Sequence, residues 1–404
     1  MVLDGAADLR TEQLNNKTPL EAAYKPNLDW FARFGKLGYV YTVNKNVAPE
    51  SDVAVTALLG YDPYKLYTGR GPLEAYGAGL KLNDYFLALR TNFATIDNEN
   101  NIIDRRVGRS LTTAEAHSLA KAVNEKVKLG IKFKFKSTTE HRGVLVFYGK
   151  FSDKITNVDP AYNKVGKFGV ANTKENLKVE KCKPLDKDAV NSAKLVNDFI
   201  EQSKLVLENH PVNLKRKKLG KPLANIILPR DAGNSLPIFP VKKGWAAVVG
   251  MPLEIGLTKL AGMQIFKVNY PKLKSANIYK HLYRSLNMEI KTALNAIKVS
   301  NKNLYIHFKE TDIPGHDGLP LEKKRMIEMI DKKFFLKLRK LKNLQLVVTC
   351  DHTTPCKLKA HSADPVPLLI YNGKTRDKVV NFSEYMCKRG SLGALMGKGI
   401  MKLL

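Results

Sequence analysis

The stretch LQLVVTCDHTTP, residues 344–355, decides the fold class of this chain. Its first six residues, 344–349, form an apolar run rich in β-type residues, and Asp351 and His352 follow almost directly. A second unit of the same kind lies upstream, where LYIHF at 304–308 leads into TDIPGHD at 311–317. Because open α/β sheets carry their sites just past the carboxyl ends of strands, both units predict a strand followed by a site loop.

Strands and helices alternate on both sides of these units. Further strands are predicted at 245–249 and 366–371, and a helix at 321–341 has apolar residues at helical spacing. At the front of the chain, a short apolar run ends at the Asp4-Gly5 turn, and a helix is predicted to begin directly after Ser51, at Asp52. This alternation predicts an α/β fold with a mostly parallel sheet that helices cover on both faces.

The middle third of the chain has a different pattern. Thr112 and Glu115 form a capping box at the start of a helix. The runs 131–136 and 143–149 predict strands, and a long helix is expected at 187–207. The simplest architecture is therefore a discontinuous core and an insertion. The core is built from residues 1–84 and 236–404, and residues 85–235 form a smaller inserted α+β domain.

The chain is strongly basic. Its 404 residues include 67 Lys and Arg against 38 Asp and Glu, a formal net charge of +29. Such a surplus attracts polyanions and speeds the arrival of small phosphorylated substrates. Nucleic-acid binding is the alternative, with the basic run 332–340 as its binding face. The helical periodicity of that run favours a solvated lysine face instead, and the positive charge is scattered rather than confined to one stripe.

The composition also bears on cellular location. No apolar run reaches the roughly 18 residues that a membrane span needs. The start of the chain lacks the basic and apolar regions of a signal peptide. The four cysteines form no CxxC pair, so a zinc cluster is not expected. A few unpaired thiols indicate a reducing cytoplasm.

Seven side chains that could bind metal ions lie near the predicted strand ends or at the head of a helix. They are three carboxylates, three imidazoles and one hydroxyl, namely Asp4, Asp312, Asp351, His316, His352, His361 and Ser51. This mixed set suits Mn, Zn, Fe or Co better than Mg. Seven ligands are too many for one tetrahedral ion, and two ions can clamp the oxygens of an in-line phosphoryl transfer. His307, inside its strand, is interpreted as structural, and Ser51 alone would be read as a helix cap.

Taken in order, the motifs of the chain resemble one enzyme family. They are Asp4-Gly5 with Asp8, KTPLEA at 17–22, ESD at 50–52, GYDP at 60–63, TGRGP at 68–72, TD and GHDG at 311–318, DHTTP at 351–355 and HSADPVP at 361–367. This ordered set is similar to the archaeal-type 2,3-bisphosphoglycerate-independent phosphoglycerate mutases of the alkaline phosphatase superfamily. Two positions depart from the family pattern, since fewer apolar residues precede Asp4 and Glu50 replaces a glycine.

The resemblance implies an alkaline-phosphatase-like core and a set of site roles. Ser51 would be the nucleophile that accepts the phosphoryl group. One metal would be held by Asp4, Ser51, Asp351 and His352, and the other by Asp312, His316 and His361. The ions are usually manganese in the family, with magnesium, cobalt or zinc sometimes substituting. The implied reaction exchanges 3-phosphoglycerate and 2-phosphoglycerate in glycolysis and gluconeogenesis, through a phosphoserine and without added 2,3-bisphosphoglycerate.

The insertion is expected to act as a lid, because the glycerate must stay bound between two half-reactions. Arginine suits such a lid, since its planar fork binds carboxylate and phosphate bidentately. The resemblance points to Asp104, Arg105, Arg106, His141, Arg142, Asn213, Arg216 and Arg230 as candidates for substrate contact. The alternative within the superfamily is a phosphomonoesterase or a different phosphomutase, and a hydrolase would need no lid of this kind.

Overall fold

The computed structural model describes residues 1–82, 84–165, 168–171, 177–272 and 278–403. The strands, in chain order, are β1 (Val2–Leu3), β2 (Lys36–Tyr41), β3 (Phe86–Ile96), β4 (Ile102–Asp104), β5 (Phe133–Ser137), β6 (Arg142–Tyr148), β7 (Tyr162–Val165), β8 (Phe168–Ala171), β9 (Ile226–Gly233), β10 (Trp245–Val249), β11 (Gln264–Lys267), β12 (Asn303–Phe308), β13 (Leu346–Thr349), β14 (Val366–Tyr371) and β15 (Gly393–Met396).

The helices pack around these strands. They are α1 (Pro19–Ala22), α2 (Pro26–Arg33), α3 (Ser51–Leu58), α4 (Pro63–Leu66), α5 (Arg70–Gly77), α6 (Thr113–Lys126), α7 (Val190–Glu208), α8 (Pro211–Lys218), α9 (Pro252–Leu260), α10 (Ile278–Val299), α11 (Asp312–Asp317), α12 (Pro320–Ile330), α13 (Leu336–Leu338) and α14 (Glu384–Cys387). Among the described residues, no helix is long and apolar enough to cross a membrane.

The larger sheet has eight strands in the order β11-β10-β12-β1-β13-β14-β2-β15. Only β14 runs antiparallel to its neighbours, so the sheet is mostly parallel, as the alternation of strands and helices predicted. Successive residues of β10 and β12 are buried, as expected for strands with both faces covered. The α/β fold class is thereby confirmed, with the strands at 245–249 and 366–371 where the sequence placed them.

A second, antiparallel sheet lies within residues 86–233. It pairs β4, β3, β6 and β5 in that order, and β9 pairs with β3. Helices α6 and α7 pack on it around a separate apolar core, and the capping box at Thr112 is present as predicted. The larger sheet takes its strands from both ends of the chain. The division into 1–84 with 236–404 and an inserted 85–235 stays a prediction about folding units.

Helix α5 lies between the two sheets and contacts α9 as well as β3 and β9. Two glycines allow this close approach. A Cβ added at Gly77 would lie 1.7 Å from the backbone oxygen of Pro252, and one added at Gly71 would lie 2.2 Å from that of Ala88. Helix α5 can therefore present Arg70 and Glu74, both buried, to the space between the sheets.

The structure corrects several element boundaries. The helix expected at 321–341 is interrupted after α12 by a π-helical turn at Asp331–Phe335. The strand expected from 344 begins at Leu346. Ser51 is the first residue of α3 rather than its cap, because Glu50 occupies the cap position with extended backbone angles.

Candidate active site and metal centre

Three neighbouring parallel strands bring the candidate ligands together. Val2 of β1 pairs with His307 of β12 on one side and with Thr349 of β13 on the other. The carboxyl ends of the three strands therefore meet at one edge of the sheet. Asp4 follows β1, Asp312 lies just past β12, and Asp351 and His352 follow β13.

The first group of ligands surrounds the Nε2 atom of His352. The Oγ atom of Ser51 lies 3.2 Å from it, Oδ2 of Asp351 lies 3.3 Å from it, and Oδ1 of Asp4 lies 3.5 Å from it. Ligands about 2.1 Å from one tetrahedral ion are about 3.4 Å apart, so these spacings suit a shared ion. The structure thus gathers Asp4, Ser51, Asp351 and His352 around one point.

The second group lies beside the first and centres on Asp312. His316 is one helical turn later on α11, and its Nε2 lies 3.3 Å from Oδ2 of Asp312. The Nε2 atom of His361 lies 3.9 Å from Oδ1 of the same carboxylate. The His361 ring also stacks on that of His352, with centroids 3.6 Å apart. The two groups are therefore in direct contact.

Neighbouring oxygens orient the histidines. The Nδ1 atom of His316 lies 3.0 Å from the carbonyl oxygen of Lys359, and that of His361 lies 2.9 Å from the carbonyl oxygen of Pro49. Donation from Nδ1 to a carbonyl leaves Nε2 free as a ligand, the arrangement that metal-binding histidines adopt. Both rings therefore direct Nε2 towards Asp312.

Thr354 joins the two groups. Its hydroxyl donates to Oδ1 of Asp312 at 2.9 Å and lies 2.9 Å from Nδ1 of His352. A single side chain thus contacts one candidate ligand from each group.

Several buried ligand atoms have no hydrogen-bond partner among the described residues, which tests whether metal ions fit here. They are Oδ1 of Asp4, Oδ2 of Asp351 and Nε2 of His361. Buried polar atoms are normally satisfied, so unpaired ones facing a common point indicate a missing partner. Asp4, Asp351 and His352 have ligand atoms within 4.8 Å of one another, as do Asp312, His352 and His361. The residues fit divalent metal ions.

The electrostatics of the centre agree with that fit. Burial and the nearby Asp4 raise the pKa of Asp351 to about 7. Burial and the neighbouring His361 lower the pKa of His352 to about 3, so this imidazole stays neutral and able to bind a metal. A divalent cation would relieve the repulsion between the two carboxylates that the protein holds together.

A cavity of about 100 Å³ opens beside Ser51, between the two sheets. Five carboxylates line it beside seven cationic side chains, namely Arg70, Arg90, Arg105, Arg106, Arg109, Arg142 and Lys309. The guanidinium of Arg106 makes no hydrogen bond or ion pair with the residues that the structure describes. Burial and the neighbouring Arg109 lower the pKa of Arg106 to about 10. The cavity therefore suits a small, multiply charged anion.

Some of the candidate substrate residues line this cavity, and the others lie elsewhere in the structure. Arg105, His141 and Arg142 line the cavity, whereas Asp104 lines a neighbouring cleft. The carboxylate of Asp104 accepts a hydrogen bond from the backbone of Arg106 at 2.6 Å. Asp104 therefore stabilises, from outside the cavity, the backbone of the segment that carries Arg105 and Arg106.

Arg216, Arg230 and Asn213 do not line the cavity. Arg216 is 1% exposed and donates to Ser110 at 2.7 Å and to Glu115 at 3.2 Å, so its fork is already used inside the protein. Arg230, also 1% exposed, pairs with Asp231 and covers the ring of Tyr162. Asn213 bonds the carbonyl oxygens of Leu207 and Ala224. These contacts give all three side chains partners inside the protein, and direct substrate contact by them stays a prediction.

Sequence reasoning missed several residues of the cavity. Arg70 belongs to the motif TGRGP, but the sequence predicted no role for it. It pairs with Glu50 at 3.2 Å and with Glu74 at 2.6 Å. Glu50, which replaces a glycine of the family pattern, is buried and also lies 3.3 Å from Nδ1 of His361. Arg90 lies on β3 and Arg109 in a short left-handed 3-10 turn, Val107–Arg109, and neither position has a sequence signal of its own.

Comparison with known proteins shows the class of enzyme to which this chain is similar. Residues 254–404 match the model of the metalloenzyme superfamily, and residues 32–213 match that of 2,3-bisphosphoglycerate-independent phosphoglycerate mutase. A mutase of this type from Aeropyrum pernix is 41% identical, with 98% of this chain and 96% of the relative covered. One from Thermococcus gammatolerans is 38% identical, with 100% and 95% covered.

Solved structures agree. A protein from Pyrococcus horikoshii superposes with a TM-score of 0.75 at 29% identity, covering 100% of this chain and 94% of the other. A cofactor-independent phosphoglycerate mutase from Thermoplasma acidophilum superposes with a TM-score of 0.58 at 31% identity, covering 100% and 97%. The chain belongs to the 2,3-bisphosphoglycerate-independent phosphoglycerate mutase family.

Proposed function

We propose that this chain interconverts 3-phosphoglycerate and 2-phosphoglycerate and that Ser51 carries the phosphoryl group in between as a phosphoserine. One observation carries the proposal. The Oγ atom of Ser51 lies among the candidate ligand atoms of Asp4, Asp351 and His352, and Ser51 also lines the arginine-rich cavity. A nucleophile, a cation site and an anion pocket therefore meet at one side chain.

Two divalent ions would be held by the two ligand groups. Asp4, Ser51, Asp351 and His352 would hold one, and Asp312, His316 and His361 the other. When bound, such a pair lowers the pKa of a contacting hydroxyl and neutralises charge on the attacking and leaving oxygens. We expect manganese, with magnesium, cobalt or zinc as alternatives.

The phosphoryl transfer itself requires mainly that the reacting groups are held in position and that the negative charge on the oxygens is neutralised. The Oγ atom of Ser51 forms a bond to phosphorus while the bond from phosphorus to a glycerate oxygen breaks. The proton lost from the serine hydroxyl balances the proton taken up by the released glycerate oxygen. Ser51 stands in the first turn of α3, where the positive end of the helix dipole favours a bound phosphate. The phosphoryl group then returns to the other glycerate hydroxyl.

The cationic lining would retain the glycerate between the two half-reactions. Arg105 and Arg142 come from the antiparallel part of the chain, and Arg70 comes from α5. Enclosure by these side chains would exclude water, which otherwise competes for the phosphoserine. The proposal includes a small phosphorylated substrate, a cytoplasmic role in glycolysis and gluconeogenesis, and no need for added 2,3-bisphosphoglycerate.

The test is an assay that couples 2-phosphoglycerate formation to enolase. The protein is first stripped of metal and then supplied with manganese, without 2,3-bisphosphoglycerate. We expect activity to disappear on stripping and to return with manganese, while little inorganic phosphate is released. Activity that survives stripping would contradict the metal mechanism. Release of phosphate without isomerisation would instead identify a phosphomonoesterase.

A further inference from the structure

A third cluster of ligand-type side chains lies next to the two groups described above. Asp4, Glu254 and His307 are all buried, and one ligand atom from each lies within 4.8 Å of the others. Asp4 is shared with the first metal group, His307 lies beside it on β12, and Glu254 comes from α9. The Nε2 atom of His307 lies 2.9 Å from Oδ2 of Asp4.

The ammonium group of Lys309 lies within this cluster. It pairs with Oδ2 of Asp4, and it lies 3.1 Å from Oε1 of Glu254. Lys309 follows His307 by two positions, and along an extended backbone that spacing places both side chains on one face. The ammonium group of Lys309, which is attached to the chain two residues after His307, thus supplies the positive charge between the three side chains.

Glu254 gives the independent indication that this place is built for a cation. Its side chain is 1% exposed, and neither carboxylate oxygen accepts a hydrogen bond within the described ranges. A carboxylate buried in this way is costly unless a cation compensates it. Lys309 is the cation paired with it here, and it meets Glu254 as an ion pair without satisfying its lone pairs.

We propose that Asp4, Glu254 and His307 form a third cation site, and that Lys309 occupies it in place of a divalent metal ion. Two carboxylates and an imidazole are a suitable donor set for Mn²⁺ or Zn²⁺. The Nδ1 atom of His307 lies 2.9 Å from the hydroxyl of Tyr305, which leaves Nε2 as the atom that faces the site. The covalent tether gives the ammonium a high effective concentration there.

This arrangement has a consequence for the neighbouring metal group. A divalent ion in the third site would share the Asp4 carboxylate with the ion beside Asp351 and place two doubly charged cations on one side chain. Lys309 places a single charge there instead. It holds Oδ2 of Asp4 and leaves Oδ1 without a hydrogen-bond partner among the described residues, available to the first group. Lys309 also lines the cavity.

The experiment counts Mn²⁺ bound per chain, by equilibrium dialysis with elemental analysis and without substrate. Lys309→Ala should bind one equivalent more than the wild-type protein under the same free Mn²⁺ concentration. The added equivalent should disappear in Lys309→Ala with Glu254→Gln. Lys259→Ala, which removes an exposed lysine of the same helix α9, should leave the count unchanged.

Two results would overturn the proposal. One is a Lys309→Ala protein that binds no extra Mn²⁺, or less than the wild type. The other is an extra equivalent that persists when Glu254 is replaced. If the alanine variant does not fold, Lys309→Gln takes its place with the same expected gain, because an amide oxygen can serve as a ligand. Since the count is relative to wild type and uses no substrate, its failure is distinct from failure of the mutase assay.

Discussion

The Oγ atom of Ser51 lies 3.2 Å from Nε2 of His352, although 301 positions separate the two residues along the chain. Ser51 opens α3, and His352 follows the central strand β13. The contact brings the positive end of a helix to the edge of the sheet where the carboxylates lie. The proposed nucleophile therefore depends on both ends of the chain and cannot form until the larger sheet has assembled.

Replacing Ser51 by alanine should abolish turnover and spare the fold. We expect kcat to fall by at least about 10³-fold, because no other group can accept the phosphoryl group covalently. The thermal midpoint should change little, and bound Mn²⁺ should be retained through Asp4, Asp351 and His352. Ser192→Ala, which removes a buried hydroxyl of α7, is the matched control and should keep near-native activity. Near-native activity of the Ser51 variant would refute the nucleophile assignment.

Replacing Thr354 by valine should weaken metal binding without removing a ligand. The hydroxyl of Thr354 contacts both His352 and Asp312, so its loss frees one ligand of each group to rotate. Loss of such an orienting contact typically costs about 10–100-fold in metal affinity. Isothermal titration with Mn²⁺ measures the effect, and Thr354→Ser should restore most of it because the hydroxyl remains. Equal affinity in the valine and wild-type proteins would show that the hydroxyl does not orient the ligands.

The fold was largely accessible from the sequence, because alternating strands and helices leave a strong periodic signal. The capping box at Thr112 and the strand β14 appear where the pattern indicated them. The π-helical turn at Asp331–Phe335 was not visible, because apolar residues spaced four apart, as Ile330, Phe334 and Leu338 are, fit an α-helix as well as a turn that holds one more residue. Packing of the turn against the core decides its geometry, and single-residue patterns do not record packing.

The candidate site could be predicted from the sequence only in part, because tertiary packing, which sequence patterns do not record, decides which side chains face it. Asp351 and His352 follow a strand, so their position along the chain predicts their place at the edge of the sheet. Glu254 lies inside the largely buried helix α9, where a glutamate has no positional signal of its own. Arg216 lies in a basic cluster that suggested substrate contact, but its partner Ser110 is 106 positions away. Only the tertiary structure distinguishes an arginine that faces an anion pocket from one that supports it.

Arg106 and Arg216 should therefore respond differently to replacement by methionine. Arg106→Met removes a cavity-lining charge and should lower kcat/KM by about 10–100-fold with little change in stability, since a charge-assisted bond to an anion contributes about 1.5–3 kcal/mol. Arg216→Met leaves Glu115 and Ser110 without their buried partner and should lower the free energy of unfolding by about 3 kcal/mol. Urea unfolding and steady-state kinetics on both variants separate the two effects. The reverse pattern would restore Arg216 as a substrate ligand.

Glu289 should make stability depend on pH. Burial raises its pKa from 4.5 to about 7, although hydrogen bonds from Tyr270 and the backbone of Lys309 oppose the shift. A carboxyl whose folded-state pKa is raised stabilises the protein most below its unfolded-state pKa, and that contribution is lost as the pH rises through 7. From pH 5 to pH 8 the wild-type protein should therefore lose on the order of 2–3 kcal/mol relative to Glu289→Gln. Urea unfolding at the two pH values measures this difference, Glu125→Gln is the exposed control, and parallel losses in both proteins would contradict the prediction.

The ion pair between Arg109 and Asp317 should control how well the cavity excludes water. Arg109 lies in a segment of three consecutive left-handed residues, Val107 to Arg109, and its guanidinium lies 3.0 Å from Asp317. Asp317 also accepts a hydrogen bond from Tyr279 at 2.9 Å, and it directly follows His316 on α11. The pair therefore ties a strained part of the cavity lining to the helix that carries two candidate metal ligands.

Breaking this pair should let water compete for the phosphoserine. In Asp317→Asn we expect the ratio of inorganic phosphate released to phosphoglycerate isomerised to rise about 10-fold, since loss of a charge-assisted bond of about 1.5 kcal/mol shifts an equilibrium by about that factor. The isomerisation rate itself should fall less. Lys121→Met, which removes an exposed lysine of α6, should leave the ratio unchanged. If Asp317→Asn lowered substrate affinity and left the ratio unchanged, Arg109 and Asp317 would assist binding only, and retention of the glycerate would rest on the other cavity arginines.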